Sequence, residues 1–85
     1  MILVVDVGNT NIVIGAMKGQ ELIGGWRMTS QTPQTSDEYG ILMIEFLKQK
    51  KIKVSDIQDI IMSSVVPDIM YSLSKSFKKY FDRTL

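Results

Sequence analysis

Asp6 and the polar loop that follows it are the residues of this chain best suited to chemistry. They lie in the stretch Val4-Val5-Asp6-Val7-Gly8-Asn9-Thr10-Asn11-Ile12-Val13-Ile14-Gly15. An uninterrupted apolar run from Ile2 to Val5 reads as a strand buried on both faces, and that strand must end at Gly8-Asn9. Asp6 therefore stands at a strand mouth. Gly and Asn tolerate positive φ, so Gly8-Asn9-Thr10 is expected to reverse the chain tightly into a second β-branched run, Ile12 to Ile14. In the tip of such a hairpin the backbone N–H groups of Gly8, Asn9, Thr10 and Asn11, with the Thr10 hydroxyl, can converge into an anion-binding concavity. Phosphate is the natural occupant. A carboxylate beside phosphate calls for a cation between the two, which makes Asp6 a candidate ligand of Mg²⁺, held directly or through water.

Other chemistries are excluded by composition. The 85 residues contain no cysteine and no histidine, so disulfides, thiolate sites, imidazole bases, a Ser-His dyad and His-ligated zinc are all absent. Ser63 and Ser64 stand where a parallel strand should end, the edge at which α/β sheets bind ligands, but a serine nucleophile lacks a base here. There is no P-loop, no G-x-G-x-x-G and no G-x-S-x-G segment. Trp26, the one tryptophan, reads as a half-buried sheet aromatic rather than a base-stacking platform. Eight of the ten Lys and Arg residues follow Leu47, yet the net charge is only +1, and the run Lys48 to Lys53 reads as a solvated helix end complementing the dipole. Nucleic acid is not expected as a partner. No apolar run approaches the roughly 18 residues of a membrane span, and Met1 leads straight into a strand, so the expectation is a cytoplasmic protein without a membrane partner.

The elements that must position these groups follow in order. Met1 to Val7, Asn11 to Met17 and Glu21 to Met28 are read as an antiparallel three-strand meander, with Lys18-Gly19-Gln20 as the second turn. Gly24-Gly25 inside the third strand suggests a bulge or a close backbone approach, and a bulge near a sheet edge is the expectation. Thr29 to Ser36 has no apolar residue and reads as a loop, and Thr35 with Glu38 forms a capping box opening a helix from about Ser36 to Lys50. Its core stripe is Tyr39, Leu42, Met43, Phe46 and Leu47. The run Ile60-Ile61-Met62 reads as a strand buried on both faces and parallel to the first, with the helix as crossover. Pro67 suits the first position of a last helix reaching about Asp82, with Val66, Met70, Leu73, Phe77 and Tyr80 or Phe81 as its stripe. The order is β-β-β-α-β-α, an α/β unit with expected mixed sheet order 3-2-1-4.

Asp6-Val7-Gly8-Asn9-Thr10 resembles the first phosphate-binding motif of the acetate-kinase, sugar-kinase, heat-shock-chaperone and actin superfamily. Gly25-Trp26-Arg27-Met28, Thr35-Ser36-Asp37-Glu38-Tyr39-Gly40 and Ser63-Ser64-Val65-Val66-Pro67 lengthen the match, and together these segments resemble type III pantothenate kinase. The resemblance covers the amino-terminal part of that family only. It implies an RNase H-like, or actin-like ATPase, half-domain in which residues 1–85 are the amino-terminal subdomain of a longer two-subdomain kinase. It implies ATP-dependent phosphorylation of pantothenate to 4′-phosphopantothenate, the first step toward coenzyme A, with Mg²⁺ and a monovalent cation, K⁺ or NH₄⁺. By the same resemblance Asp6, Val7, Gly8, Asn9, Thr10, Asn11, Ile12 and Val13 contact the nucleotide, Asp6 faces the metal, and the full-length protein is a homodimer. The family's general base lies in a Gly-Ala-Asp-Arg segment that this sequence lacks, so no catalytic residue is expected in this chain and it is expected to be inactive alone. The expected missing part is C-terminal. Two other classes stay open: a noncatalytic phosphate-binding or assembly module of the same superfamily, and an RNase H-like nuclease. The nuclease needs several carboxylates around two metals, and Asp6 is the only acidic residue at a probable strand mouth.

Overall fold

A computed structural model describes residues 1–84. Three antiparallel strands, β1 (Ile2–Val7), β2 (Asn11–Lys18) and β3 (Glu21–Thr29), precede helix α1 (Ser36–Gln49), strand β4 (Asp59–Ser64) and helix α2 (Pro67–Phe81). The sheet order is β3-β2-β1-β4, with β4 parallel to β1. This is the α/β half-domain expected from the sequence. A short 3-10 turn at Val54–Asp56, for which the sequence carries no evident signal, leads into β4.

The helices begin where their caps dictate. Thr35 accepts from the Glu38 N–H and Glu38 accepts in return from the Thr35 N–H, at 3.2 and 2.9 Å, so two otherwise orphaned donors are satisfied. Pro67 opens α2 at a position where its missing N–H is not needed. Tyr39, Met43 and Leu47 bury the inner face of α1 as its spacing predicts, with Leu42 and Phe46 at the margin. The stripe of α2 is different. Ile69, Leu73, Phe77 and Phe81 are buried at intervals of four, whereas Met70 is exposed, because the four-residue row from Phe81 runs through Ile69.

Burial of the central strands departs most from expectation. Strand β1 alternates, with Leu3, Val5 and Val7 in the core and Ile2, Val4 and Asp6 exposed, and Ile61 of β4 is 55% exposed although Ile60 is buried. The buried sheet residues and those of both helices form a single cluster, so both helices cover one face and leave the other open. An apolar run does not reveal whether both of its faces are covered. On the open face Ile2, Val4, Val13, Leu22 and Ile61 lie exposed.

On the helix side, Trp26 stacks on Phe46 with ring centroids 5.8 Å apart, and its Nε1–H donates to Gln49 Oε1 at 3.1 Å. A side chain on Gly24 would strike the Trp26 ring at 2.7 Å, so this glycine serves a close approach. A bulge is also present: Ala16 pairs with Gly24 and Met17 with Leu22, leaving Ile23 unpaired. Among the described residues no helix is long and apolar enough to cross a membrane.

Candidate functional site

The parallel and antiparallel registers align a row of side chains across the open face. Asp6 pairs with Ser63 on one side and Val13 on the other, and Val13 pairs with Arg27. All four residues are exposed. Because neighbouring strands lie about 4.8 Å apart, Asp6 and Arg27 are separated by roughly 10 Å on the same surface. Ser63 Oγ donates to Asp6 Oδ1 at 2.9 Å. Ser64, the other hydroxyl of the pair, turns to the backbone instead. It donates to the Val66 carbonyl and accepts from the Val66 N–H, at 3.1 and 3.0 Å, shaping the entry to α2.

The loop after β1 is held from several sides. Gly8 N–H donates to the Asn11 carbonyl at 2.8 Å, closing the turn. A Cβ on Gly8 would stand 3.3 Å from that carbonyl, so a bare backbone eases the closure. Ser30, 6% exposed, donates through Oγ to the Gly8 carbonyl at 2.7 Å, and its N–H donates to the Thr10 carbonyl at 3.0 Å. The start of the loop after β3 thus clamps the tip of the first hairpin. In the sequence Ser30 is one residue of a featureless polar loop. Its partner is 22 residues away and only the β2–β3 register brings the two together.

The conformation of the tip differs from the expected one. Among the described residues Gly19 is the only glycine with positive φ, and Lys51 and Asp82 the only other residues, so no residue from Gly8 to Asn11 is left-handed. That excludes the turn types requiring positive φ and the αR-αL alternation of a backbone nest. Gly8 N–H is already used by Asn11. What remains toward solvent are the N–H groups of Asn9 and Thr10, which meet no acceptor within the described residues, and the Thr10 hydroxyl, whose oxygen accepts from Asn11 Nδ2 at 3.2 Å.

The eight residues singled out in the sequence therefore divide by position. Asp6, Asn9, Thr10 and Val13 are exposed, Gly8 and Asn11 partly so, and the Val7 and Ile12 side chains are core, at 1% and 0% exposure. Val7 and Ile12 can meet a ligand only through their backbone. Among the described residues no three His, Cys, Asp or Glu gather into a metal cluster. Mg²⁺ is commonly bound through one or two carboxylates together with substrate phosphates and water, and a single exposed Asp6 carboxylate fits that donor set. A two-metal nuclease site does not fit it.

Away from this row, Asp37 at the start of α1 accepts from Lys79 Nζ at 2.8 Å and from the Tyr80 hydroxyl at 2.7 Å, tying the helices together. The Lys79 hydrogen bond, then that of Tyr80, holds the Asp37 carboxyl below the usual range, and Asp37 raises Lys79 and Tyr80 in turn.

The family model for type III pantothenate kinase matches residues 2–85. A curated type III pantothenate kinase from Bifidobacterium animalis subsp. lactis (strain AD011) is 49% identical over 80 residues, covering 94% of this chain and 32% of that relative. The chain spans about a third of the length of the curated relative it matches.

Proposed function

The chain belongs to the type III pantothenate kinase family, and on that premise we propose that the protein carrying it transfers the γ-phosphoryl group of ATP to pantothenate, giving 4′-phosphopantothenate. Residues 1–85 are the amino-terminal RNase H-like subdomain of a longer two-subdomain kinase, working as a cytoplasmic homodimer, and supply one wall of the nucleotide cleft. The observation that carries the reading is the exposed Asp6 carboxylate on the open sheet face, beside a loop whose backbone carbonyls are fixed by Ser30.

Five of the eight residues have distinct parts in this proposal. Asp6 holds Mg²⁺ together with the nucleotide phosphates, and the ion supplies neutralisation of phosphate charge when bound. The Asn9 and Thr10 N–H groups and the Thr10 hydroxyl donate to phosphate oxygens, while Gly8 lets the turn close. Val13 offers an apolar surface beside them. The general base and the residues holding the monovalent cation lie outside these 85 residues, since no Gly-Ala-Asp-Arg segment occurs here. Phosphoryl transfer depends on positioning from both walls, so this chain alone turns over nothing.

The test is direct. Full-length protein incubated with ATP, Mg²⁺ and pantothenate should give stoichiometric ADP and a product heavier by one phosphoryl group, identified by mass spectrometry. Failure to form that product, with the protein folded and nucleotide bound, would favour a noncatalytic phosphate-binding module instead.

A further inference from the structure

We propose that Ser63 is a positioning residue for Asp6: its hydroxyl fixes the orientation in which the carboxylate meets the nucleotide-bound cation. This rests on the function proposed above and adds a residue from a different strand to it. The parallel register sets Ser63 directly beside Asp6 on the open face, and Oγ donates to Asp6 Oδ1 at 2.9 Å. An aspartate carboxylate has a broad, weakly restrained terminal torsion. One fixed donor on Oδ1 selects an orientation and leaves Oδ2 with no protein donor among the described residues.

A purely structural role explains this bond less well. Both residues are exposed, so neither needs a protein partner to offset burial. The β1–β4 pair is already joined along six register positions. The neighbouring hydroxyl of Ser64 does serve the backbone, with both of its bonds on Val66, which leaves Ser63 as the member of the pair aimed at the functional carboxylate. Residues that orient a metal-binding carboxylate act on affinity and turnover without touching substrate.

Two replacements isolate the hydroxyl in the full-length kinase. Ser63→Val and Ser63→Thr are both β-branched and suit a strand, and only threonine keeps the donor. Ser63→Val should weaken Mn²⁺ binding to the enzyme–nucleotide complex, read by electron paramagnetic resonance, and lower kcat, each by about 10-fold or more, with the KM for pantothenate little changed. Ser63→Thr should restore both to within about threefold of wild type. The thermal midpoints of the two variants should agree. Wild-type Mn²⁺ affinity and kcat in Ser63→Val overturn the proposal, as does Ser63→Thr being equally impaired. Asp6→Asn in the same series separates the two claims. Its wild-type activity would remove the proposed function itself, whereas its loss beside an unaffected Ser63→Val removes only the positioning role.

Discussion

Ser30 illustrates how a single side chain can secure a loop to which it is not adjacent in sequence. Its Oγ–H donates to the Gly8 carbonyl in a nearly buried setting, so Ser30→Ala leaves that carbonyl short of a donor. The expected cost is about 1–2 kcal/mol, measured by urea unfolding, with the hairpin tip losing protection from hydrogen exchange. Unchanged stability and exchange would show that the clamp is incidental. At this scale Asp6 is legible because a carboxylate terminating an apolar run is conspicuous in one dimension. Ser63 is legible as a hydroxyl at a strand end, but its bond to Asp6 depends on a register between strands 57 residues apart. Ser30 gives no sign, and Arg27, although it stands in the segment Gly25-Trp26-Arg27-Met28, is not visibly on the face of Asp6, since period-2 alternation places a residue on a face only after strand pairing is known.

The elements themselves are written more plainly. Thr35 and Glu38 mark the start of α1 by reciprocal hydrogen bonds within four residues, and Pro67 marks the start of α2. What fails is the expected burial of β1 and β4, because coverage of a second face is a property of the assembled layers. The contact between the helices carries two expectations. A Cβ on Gly40 would overlap the Tyr80 ring, so Gly40→Ala should destabilise by about 1–3 kcal/mol despite alanine's higher helix propensity. In a Tyr80→Ala background the same change should become neutral or stabilising, and a double-mutant cycle that found no coupling would contradict the packing described. The second concerns pH. Asp37 is held below its ordinary value by Lys79 and Tyr80, and Glu38 by the Thr35 N–H and hydroxyl. Their contribution is therefore complete above the ordinary carboxylate range and is lost as pH falls through the depressed folded-state values. Lys79 and Tyr80 are raised, so theirs is complete below their ordinary values and is lost as pH rises through the raised ones. Stability measured across pH should fall on both sides of a neutral plateau, and Asp37→Asn should flatten both limbs.

The described residues form one sheet with one covered face. Arg83 donates to the carbonyls of Ile57 and Gln58 just ahead of β4, but β4 itself is an edge strand with Ile61 exposed beside it. No proline or lysine between Asp59 and Ser64 blunts that edge. The 85 residues alone should therefore self-associate, seen as a sedimentation coefficient that rises with concentration, and a monomer at every concentration would show the edge and open face to be adequately solvated. The same open face carries Asp6, the carboxylate proposed to serve phosphoryl transfer. Steady-state turnover of pantothenate by the full-length Asp6→Asn protein tests that role most directly. Turnover should fall by at least about 100-fold with the thermal midpoint preserved, whereas wild-type turnover in that variant would show that Asp6 has no part in phosphoryl transfer.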